Sequence, residues 1–441
     1  MTHQLSRSIM SISAHFKFDA PQVTAERTST GQAIVIGGGM AGLMAAQVLS
    51  RHFKQVTIID RDQLRETPEV RNGVPQARHP HTLMVRGQEI LERHFPGVTA
   101  ELLAQGALPI DASREVEFFV AGDWHRPTRH ADTMAIAMSR PLLEATIYRR
   151  VAANPRISIK SVQEVVSIST DARRQRVAGL IVHQRGGAPT EQARLSADVV
   201  VDASGRHSQA PHWLQRIGYA PADELIVDTF VGYATRVYQK PADFAEEWKA
   251  MYIRPTIKTG TRGGMIIPLE GDRWFVTLLG TSRDYPPTDE VGFMEFARSL
   301  PTPKLFDAIR QAEPLTRPNA FRRTDSRLRR YDQLPRNLEG LLVTGDAACV
   351  LNPVHAQGIT AAAIGSLALS ESLQAHFNQH PAGDVSGLAA AFHQQQYQSL
   401  ADLWNTILRE DRLWPAAIFR HTTAATSVTA QYPLTLTQVT L

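Results

Sequence analysis

The chain has 441 residues, enough for two domains or one large composite one, and an apolar fraction of 43% allows a substantial core. Its formal charge of +4 is spread over 47 basic and 43 acidic residues with no like-charge block that reads as a nucleic-acid arm. No run approaches the roughly 18 apolar residues of a membrane span, and one cysteine, Cys349, excludes an intrachain disulfide and fits a cytoplasmic, reducing setting.

The first 30 residues are polar and rich in Ser and Thr, without the apolar core of a signal peptide. They read as a flexible tail whose "ISAHFKF" offers at most one amphipathic turn. Order begins at "AIVIGGGMAGLMAAQVLSRHFKQVTIIDRD". An apolar run, Ala33 to Ile36, enters a glycine cluster, a helical pattern follows through Ser50, and a second apolar run, Val56 to Ile59, ends at Asp60; this is a βαβ unit. Gly37, Gly39 and Gly42 have the G-x-G-x-x-G spacing, which serves a tight turn, backbone approach to a pyrophosphate and helix-on-strand contact. Asp60 lies 18 residues after Gly42, where a carboxylate would bind a ribose hydroxyl.

Further along, "ADVVVDASGRHS" predicts a buried strand from Ala197 to Val201 that ends in a turn at Asp202, Gly205 and Arg206. From Val227 to about Asp284, short alternating runs predict antiparallel strands with turns at Gly263-Gly264 and Gly271-Asp272. "DEVGFMEFARSLP" and "TPKLFDAIRQAEP" are helical, and Arg322-Arg323 with Arg327 to Arg330 reads as a solvated face before a strand. The stretch "GLLVTGDAACVLNPVHAQGITAAAIGSLAL" predicts a strand over Leu341 to Thr344, a break at Gly345-Asp346, and a helix from Ile359 to about Leu369. Cys349 within it reads as a small packing residue. A last helical pattern, "GLAAAFHQQQYQSLADLWNTILREDRLW", sets Trp404 and Leu408 one turn apart on one face, and the final twenty residues are Thr-rich without a clear pattern. Three strand ends far apart in sequence thus finish in small residues plus a carboxylate, and open α/β sheets bind ligands outside such ends.

The combination of "GGGMAG", "DASGR" and "GDAACVLNPVHAQG" resembles the FAD-dependent monooxygenases of the p-hydroxybenzoate hydroxylase fold, a group that also holds epoxidases, halogenases and geranylgeranyl reductases. "RNGVPQARHPHTLMVRGQEILERHFPG" and "DASGRHSQAPHWLQRIGY" resemble a bacterial subgroup that includes polyether-antibiotic epoxidases. The resemblance spans roughly residues 33–369 and implies an α/β protein: a Rossmann-type FAD-binding domain, a mixed antiparallel-sheet substrate domain and a C-terminal helical segment. The expected division is a tail at 1–30, an FAD-binding domain from 31–110, 139–215 and 335–380, a substrate-binding domain from 111–138 and 216–334, and the C-terminal segment at 381–441.

By position, the resemblance makes Gly37, Gly39 and Gly42 the FAD pyrophosphate loop and Asp60 the adenosine-ribose acid. It sets Arg140 of "MSRPLLEATIYRRV" near the phosphate-ribityl region, where the other reading is a surface arginine at a helix start. Asp346 becomes the ribityl-binding carboxylate. Pro353 and Gly358 belong to a loop along the isoalloxazine, the first rigid and the second permitting close backbone approach, with the following helix aiming its positive end at N1 and the C2 carbonyl. Asp202 reads as largely structural, because Ala203 and Ser204 separate it from Gly205 where aromatic hydroxylases have Asp-Gly serving NADPH.

The implied reaction inserts one oxygen atom, by epoxidation or hydroxylation, into an apolar secondary metabolite through a C4a-hydroperoxyflavin. Molecular oxygen is the co-substrate, and NADPH, NADH or a separate flavin reductase is the electron source. Phe230, Tyr233, Met265, Ile267, Trp274 and Phe275 suit either a substrate wall or ordinary core. The cluster Arg78, His79, His81 either serves a flavin peroxide and a substrate anion, with Arg78 and His81 as the catalytic candidates, or forms a surface turn. His355 stands in the flavin loop where relatives often have an aromatic residue. Halogenation is disfavoured because no lysine lies between Lys54 and Lys160 and no Trp-x-Trp occurs. A geranylgeranyl-type reductase and a non-redox flavoprotein cyclase remain open, and no metal site is expected.

Overall fold

The computed structural model describes residues 31–126, 134–188, 191–423 and 426–431. The expected tail at 1–30, its "ISAHFKF" turn and the last ten residues lie outside the described residues. A five-stranded parallel sheet runs in the order Leu341–Val343, Val199–Asp202, Gln32–Ile36, Gln55–Ile59, Ile157–Lys160. In register, Ile36 pairs with both Ile59 and Asp202, and Asp202 pairs with Val343. The glycine cluster, Asp60, Asp202 and Gly345-Asp346 therefore leave the sheet at one end, the C-terminal end of its parallel strands. Both faces of this sheet are covered, which is why its strands read as unbroken apolar runs.

The helix Gly358–Gln379 runs ten residues beyond the end its sequence pattern suggested. It is buried on most sides and packs on the helices Met40–Leu49, Val85–His94 and Leu388–Asp411. The last helix covers the open edge of the parallel sheet in an unusual way. Its His393 Nε2 accepts the Val343 N–H at 3.1 Å, and its Gln396 amide donates to the Val343 carbonyl at 3.0 Å. Two side chains thus stand in for the strand that would otherwise satisfy that edge. Trp404 and Leu408 are both buried, as their shared face predicts.

A seven-stranded sheet follows the order Asn319–Phe321, Gly232–Gln239, Arg273–Gly280, Arg262–Leu269, Ala250–Ile253, Val116–Val120, Asp123–His125. It is antiparallel except where Ala250–Ile253 meets Val116–Val120. Gly271 and Asp272 form the hairpin turn, both with positive φ. Gly263 and Gly264, expected as a turn, lie inside the strand Arg262–Leu269. Their role is close packing: a Cβ on Gly263 would stand 2.4 Å from the Ile253 carbonyl oxygen, and one on Gly264 would stand 2.8 Å from a Leu305 methyl.

One more expectation needs correction, and a region without a clear pattern takes shape. Arg329 and Arg330 are buried rather than solvated: Arg329 bonds Glu224 and the Ala347 carbonyl, and Arg330 pairs with Asp332. The strand Ile418–Thr423 pairs with Glu224–Asp228, and the Thr-rich end contributes the strand Thr426–Gln431 beside it, as β-branched residues favour. Among the described residues no helix is long and apolar enough to cross a membrane.

Candidate active site

The glycine cluster is a cradle that tolerates no side chain where the backbone folds on itself. A Cβ on Gly42 would stand 1.8 Å from the Gly37 carbonyl oxygen, and one on Gly37, at φ +97°, would stand 2.6 Å from the Ala203 carbonyl. Gly39 and Gly358 are the opposite case. Each begins or caps a helix, and a Cβ there would meet only the Arg71 guanidinium at 3.9 Å or, at Gly358, nothing within 4 Å among the described residues. Two helix N-termini therefore face open space, an arrangement suited to phosphate and to a developing negative charge.

Asp60 is buried at the end of its strand and accepts the N–H groups of Gly38 at 2.5 Å and Asp62 at 2.8 Å. The sequence reading passed over Arg71, whose guanidinium lies over Asp60 at 3.3 Å, bonds the Gly38 carbonyl and reaches Glu144 at 2.6 Å. Glu144 also takes Arg140 Nε at 3.1 Å. One carboxylate thus gathers two guanidiniums beside the cradle, a pair that phosphate oxygens could equally bridge. A cavity of about 440 Å³ opens here, lined by Gly38, Leu64, Arg71, Glu144 and Tyr148 among others. Arg140 begins the helix Arg140–Ala152 behind the Ser139 cap, but it is buried and not a surface arginine. Arg71 was legible in principle, as the first residue of the distinctive "RNGVPQARHPH" stretch.

Asp346 lies just past the strand Leu341–Val343, deep in the protein yet not fully covered. Burial raises its pKa, and the charges of Arg206 and Arg140 oppose that rise. Hydroxyl donors from a sugar-like chain would stabilise it as the carboxylate. Asp202 is fully buried and spends its oxygens on Ser204 N–H and the Ser208 hydroxyl, so it holds its own turn. Burial pushes the Cys349 thiol up, as suits a packing residue.

Arg78 is exposed at the end of a short 3-10 turn, whereas His79 and His81 point inward. His81 Nδ1 lies 2.9 Å from the His79 carbonyl, which can only accept, so Nδ1 carries the proton and Nε2 keeps its lone pair. Burial, with the Arg140 charge behind it, lowers His81 to about 3; burial and Arg78 lower His79 to about 4. Both rings are neutral near pH 7. His79 also packs edge-on against Tyr233 at 4.8 Å and bonds Thr235, which bonds Thr277 at 2.7 Å.

Strand alternation sorts the six wall residues. Tyr233, Met265, Ile267 and Phe275 share the sheet face that carries Thr235 and Thr277. Trp274 lies on the other face, in a core with Trp248 and Phe293. Phe230 sits outside the strands beneath the Arg283 guanidinium. Val354 packs with Tyr233, Leu279, Met265 and Phe321 in one cluster, so the loop carrying Pro353 and Gly358 meets the apolar sheet face directly.

The glycine cradle, the two free helix N-termini and the paired arginines fit FAD, and the comparisons agree. The FAD binding domain family model matches residues 30–388. Protein Rv3254 of Mycobacterium tuberculosis is 32% identical over 381 residues, or 84% of this chain and 78% of that protein. The flavin-dependent halogenase CmlS shares the fold with a TM-score of 0.62 at 19% identity, over 84% of this chain, which spans only 62% of that halogenase. PqsL, a probable FAD-dependent monooxygenase from Pseudomonas aeruginosa, has a TM-score of 0.60 at 16% identity, over 87% of this chain and 95% of its own. The chain belongs to the FAD-binding domain family, on the fold that FAD-dependent monooxygenases and halogenases share.

Proposed function

We propose that the protein is an FAD-dependent monooxygenase that inserts one oxygen atom, by epoxidation or hydroxylation, into an apolar small molecule of secondary metabolism. The observation that carries this reading is the single cluster, built on Tyr233 and Leu279 of the seven-stranded sheet, that Val354 of the cofactor-facing loop joins beside Met265 and Phe321. A substrate lying on that face would be apolar along most of its length and adjacent to the loop. FAD, when bound, supplies the oxygen-activating chemistry.

The chain's own residues have distinct parts in this proposal. Gly37, Gly39 and Gly42 admit the pyrophosphate, Arg140 and Arg71 neutralise it, and Asp60 and Asp346 accept hydroxyl hydrogen bonds from the two sugar-like chains. Pro353 stiffens the loop, and Gly358 opens a helix N-terminus toward the flavin ring. His81 is an acceptor through Nε2 rather than a charged acid, and Arg78 is available only to an anion approaching from outside. Lys249 and Lys304 are held by Glu115 and Glu117, so neither is free to carry a halogenating species.

Anaerobic mixing of the FAD-loaded protein with NADPH, then NADH, followed by oxygen with and without candidate alkenes and phenols, tests the reading. Substrate-dependent oxygen consumption with one oxygen atom in the product is expected. Product formed without oxygen would replace it with a reductase, product of unchanged mass with a cyclase, and a brominated or chlorinated product with a halogenase. Reduction by dithionite or a partner reductase alone would make this a two-component oxygenase.

A further inference from the structure

The loop Asn352–Gly358 is fastened from behind by charges that the cofactor reading does not use. His355 presents Nε2 to Asp411 at 3.1 Å and Nδ1 to Glu410 at 3.3 Å, both at the end of the last helix. Asp411 also accepts the Asn352 amide at 3.3 Å, and the same amide reaches Thr229 at 3.2 Å. Glu410 is paired in turn with Arg254, just past the strand Ala250–Ile253. Next to His355 the backbone of Ala356 is left-handed, at φ +53°, a conformation that costs an L-residue energy and persists only where its surroundings enforce it. The loop is therefore under strain at one residue and anchored at its neighbour.

We propose that His355, as an imidazolium gripped by Glu410 and Asp411, is the positioning residue that locks the cofactor-facing loop to the last helix and holds it in its FAD-binding shape. The charged groups facing the ring are Glu410 and Asp411 from the last helix, with Arg254 reached through Glu410. The loop's Asn352 and Gln357 and the neighbouring Thr229 bring none. Glu410 Oε1 and Asp411 Oδ2 are already buried without a hydrogen-bond partner among the described residues. Two carboxylates against one guanidinium and one imidazolium are balanced; removal of the ring proton would leave a buried carboxylate uncompensated. Burial alone would lower the ring's pKa, but its hydrogen bonds to Asp411 and Glu410 carry it up to about 9. A raised folded-state pKa means that the stabilisation is complete below the ordinary histidine value of 6.5 and is lost as pH rises through about 9.

The inference rests on FAD occupying the cradle, not on which reaction follows. The full chain, stripped of flavin, is titrated with FAD at pH 7, 8 and 9, with circular dichroism to verify folding. The wild-type dissociation constant is expected to rise about twofold from pH 7 to 9, where half the rings have lost their proton, and to be still rising there. His355→Gln is expected to bind about tenfold more weakly at pH 7, within the usual range of coupling free energies, and to show a flat profile. In the double variant with Asp411→Asn the losses should be less than additive. A folded His355→Gln that binds FAD as the wild type does, with the same pH profile, would overturn the clamp. If that variant does not fold, Asp411→Asn answers instead: the rise in dissociation constant should begin at lower pH, and an unchanged midpoint sinks the proposal. A wild-type chain that does not bind FAD at all would instead strike the cofactor assignment beneath it.

Discussion

The parallel sheet and the seven-stranded sheet meet at the same crevice, but they build it by different means. At the parallel sheet the working surface is backbone: Gly37 folded against Ala203, Gly42 against Gly37, and helix N-termini at Gly39 and Gly358 facing outward. At the other sheet the working surface is one set of alternating side chains, Tyr233, Thr235, Leu279, Thr277 and Met265, while the opposite set packs on helices. A backbone site cannot change residue type without losing its shape, whereas a side-chain face can change its substrate and keep the fold. In the proposed reading, cofactor recognition is accordingly constrained by geometry and substrate recognition by composition.

That contrast is broken most severely by Gly42→Ala. Its Cβ would be driven into a carbonyl with no flexible side chain to yield, so the cost should exceed the roughly 1–3 kcal/mol of ordinary overpacking. The expected outcome is protein purified without FAD, read from its visible absorbance. Trp274→Ala, on the far face of the antiparallel sheet, should cost about 3–5 kcal/mol in denaturant unfolding. KM should stay unchanged if that face is core alone.

His393→Ala removes the stand-in for a missing strand and leaves the buried Val343 N–H unpaired, for about 1–3 kcal/mol. Burial lowers His393 to about 3, so as pH falls from the ordinary value of 6.5 toward 3 the unfolded chain's ring takes a proton that the folded ring does not. Stability should fall in that acid range, and the variant should lose about one proton's worth of the slope, roughly 1.4 kcal/mol per pH unit. Thr235→Val is the mildest change, about 1–2 kcal/mol from the lost bonds to His79 and Thr277. It sharpens the comparison because its main effect should appear in KM for an oxygen-bearing substrate.

Much of the cofactor half was legible because its signals are local. The strand, the glycine spacing and the terminal acid of "AIVIGGGMAG" through Asp60 lie within one βαβ unit, and the parallel strands carry long apolar runs that only two-sided burial explains. Arg71 stands at the head of a distinctive stretch, but its role depends on partners far off in sequence: Asp60 and Glu144 are 11 and 73 positions away. The Gly263-Gly264 pair misled because glycine marks turns and close packing alike, and only the neighbours Ile253 and Leu305 distinguish them. Arg78 and His81 are close in sequence, yet one is exposed and the other lies in the crevice, a difference that three residues of chain direction decide.

The sequence by itself determined the α/β class, the βαβ entry, the parallel strands and the glycines and carboxylates at their ends. Each of these follows from short-range pattern and the conformational range of glycine. Tertiary structure alone decided which histidines are neutral and which is charged. His79, His81 and His393 lie where burial dominates, while His355 lies between two carboxylates brought from 55 and 56 positions away by the last helix. Charge state is set by desolvation and by neighbours in space, and neither is written in the order of the residues.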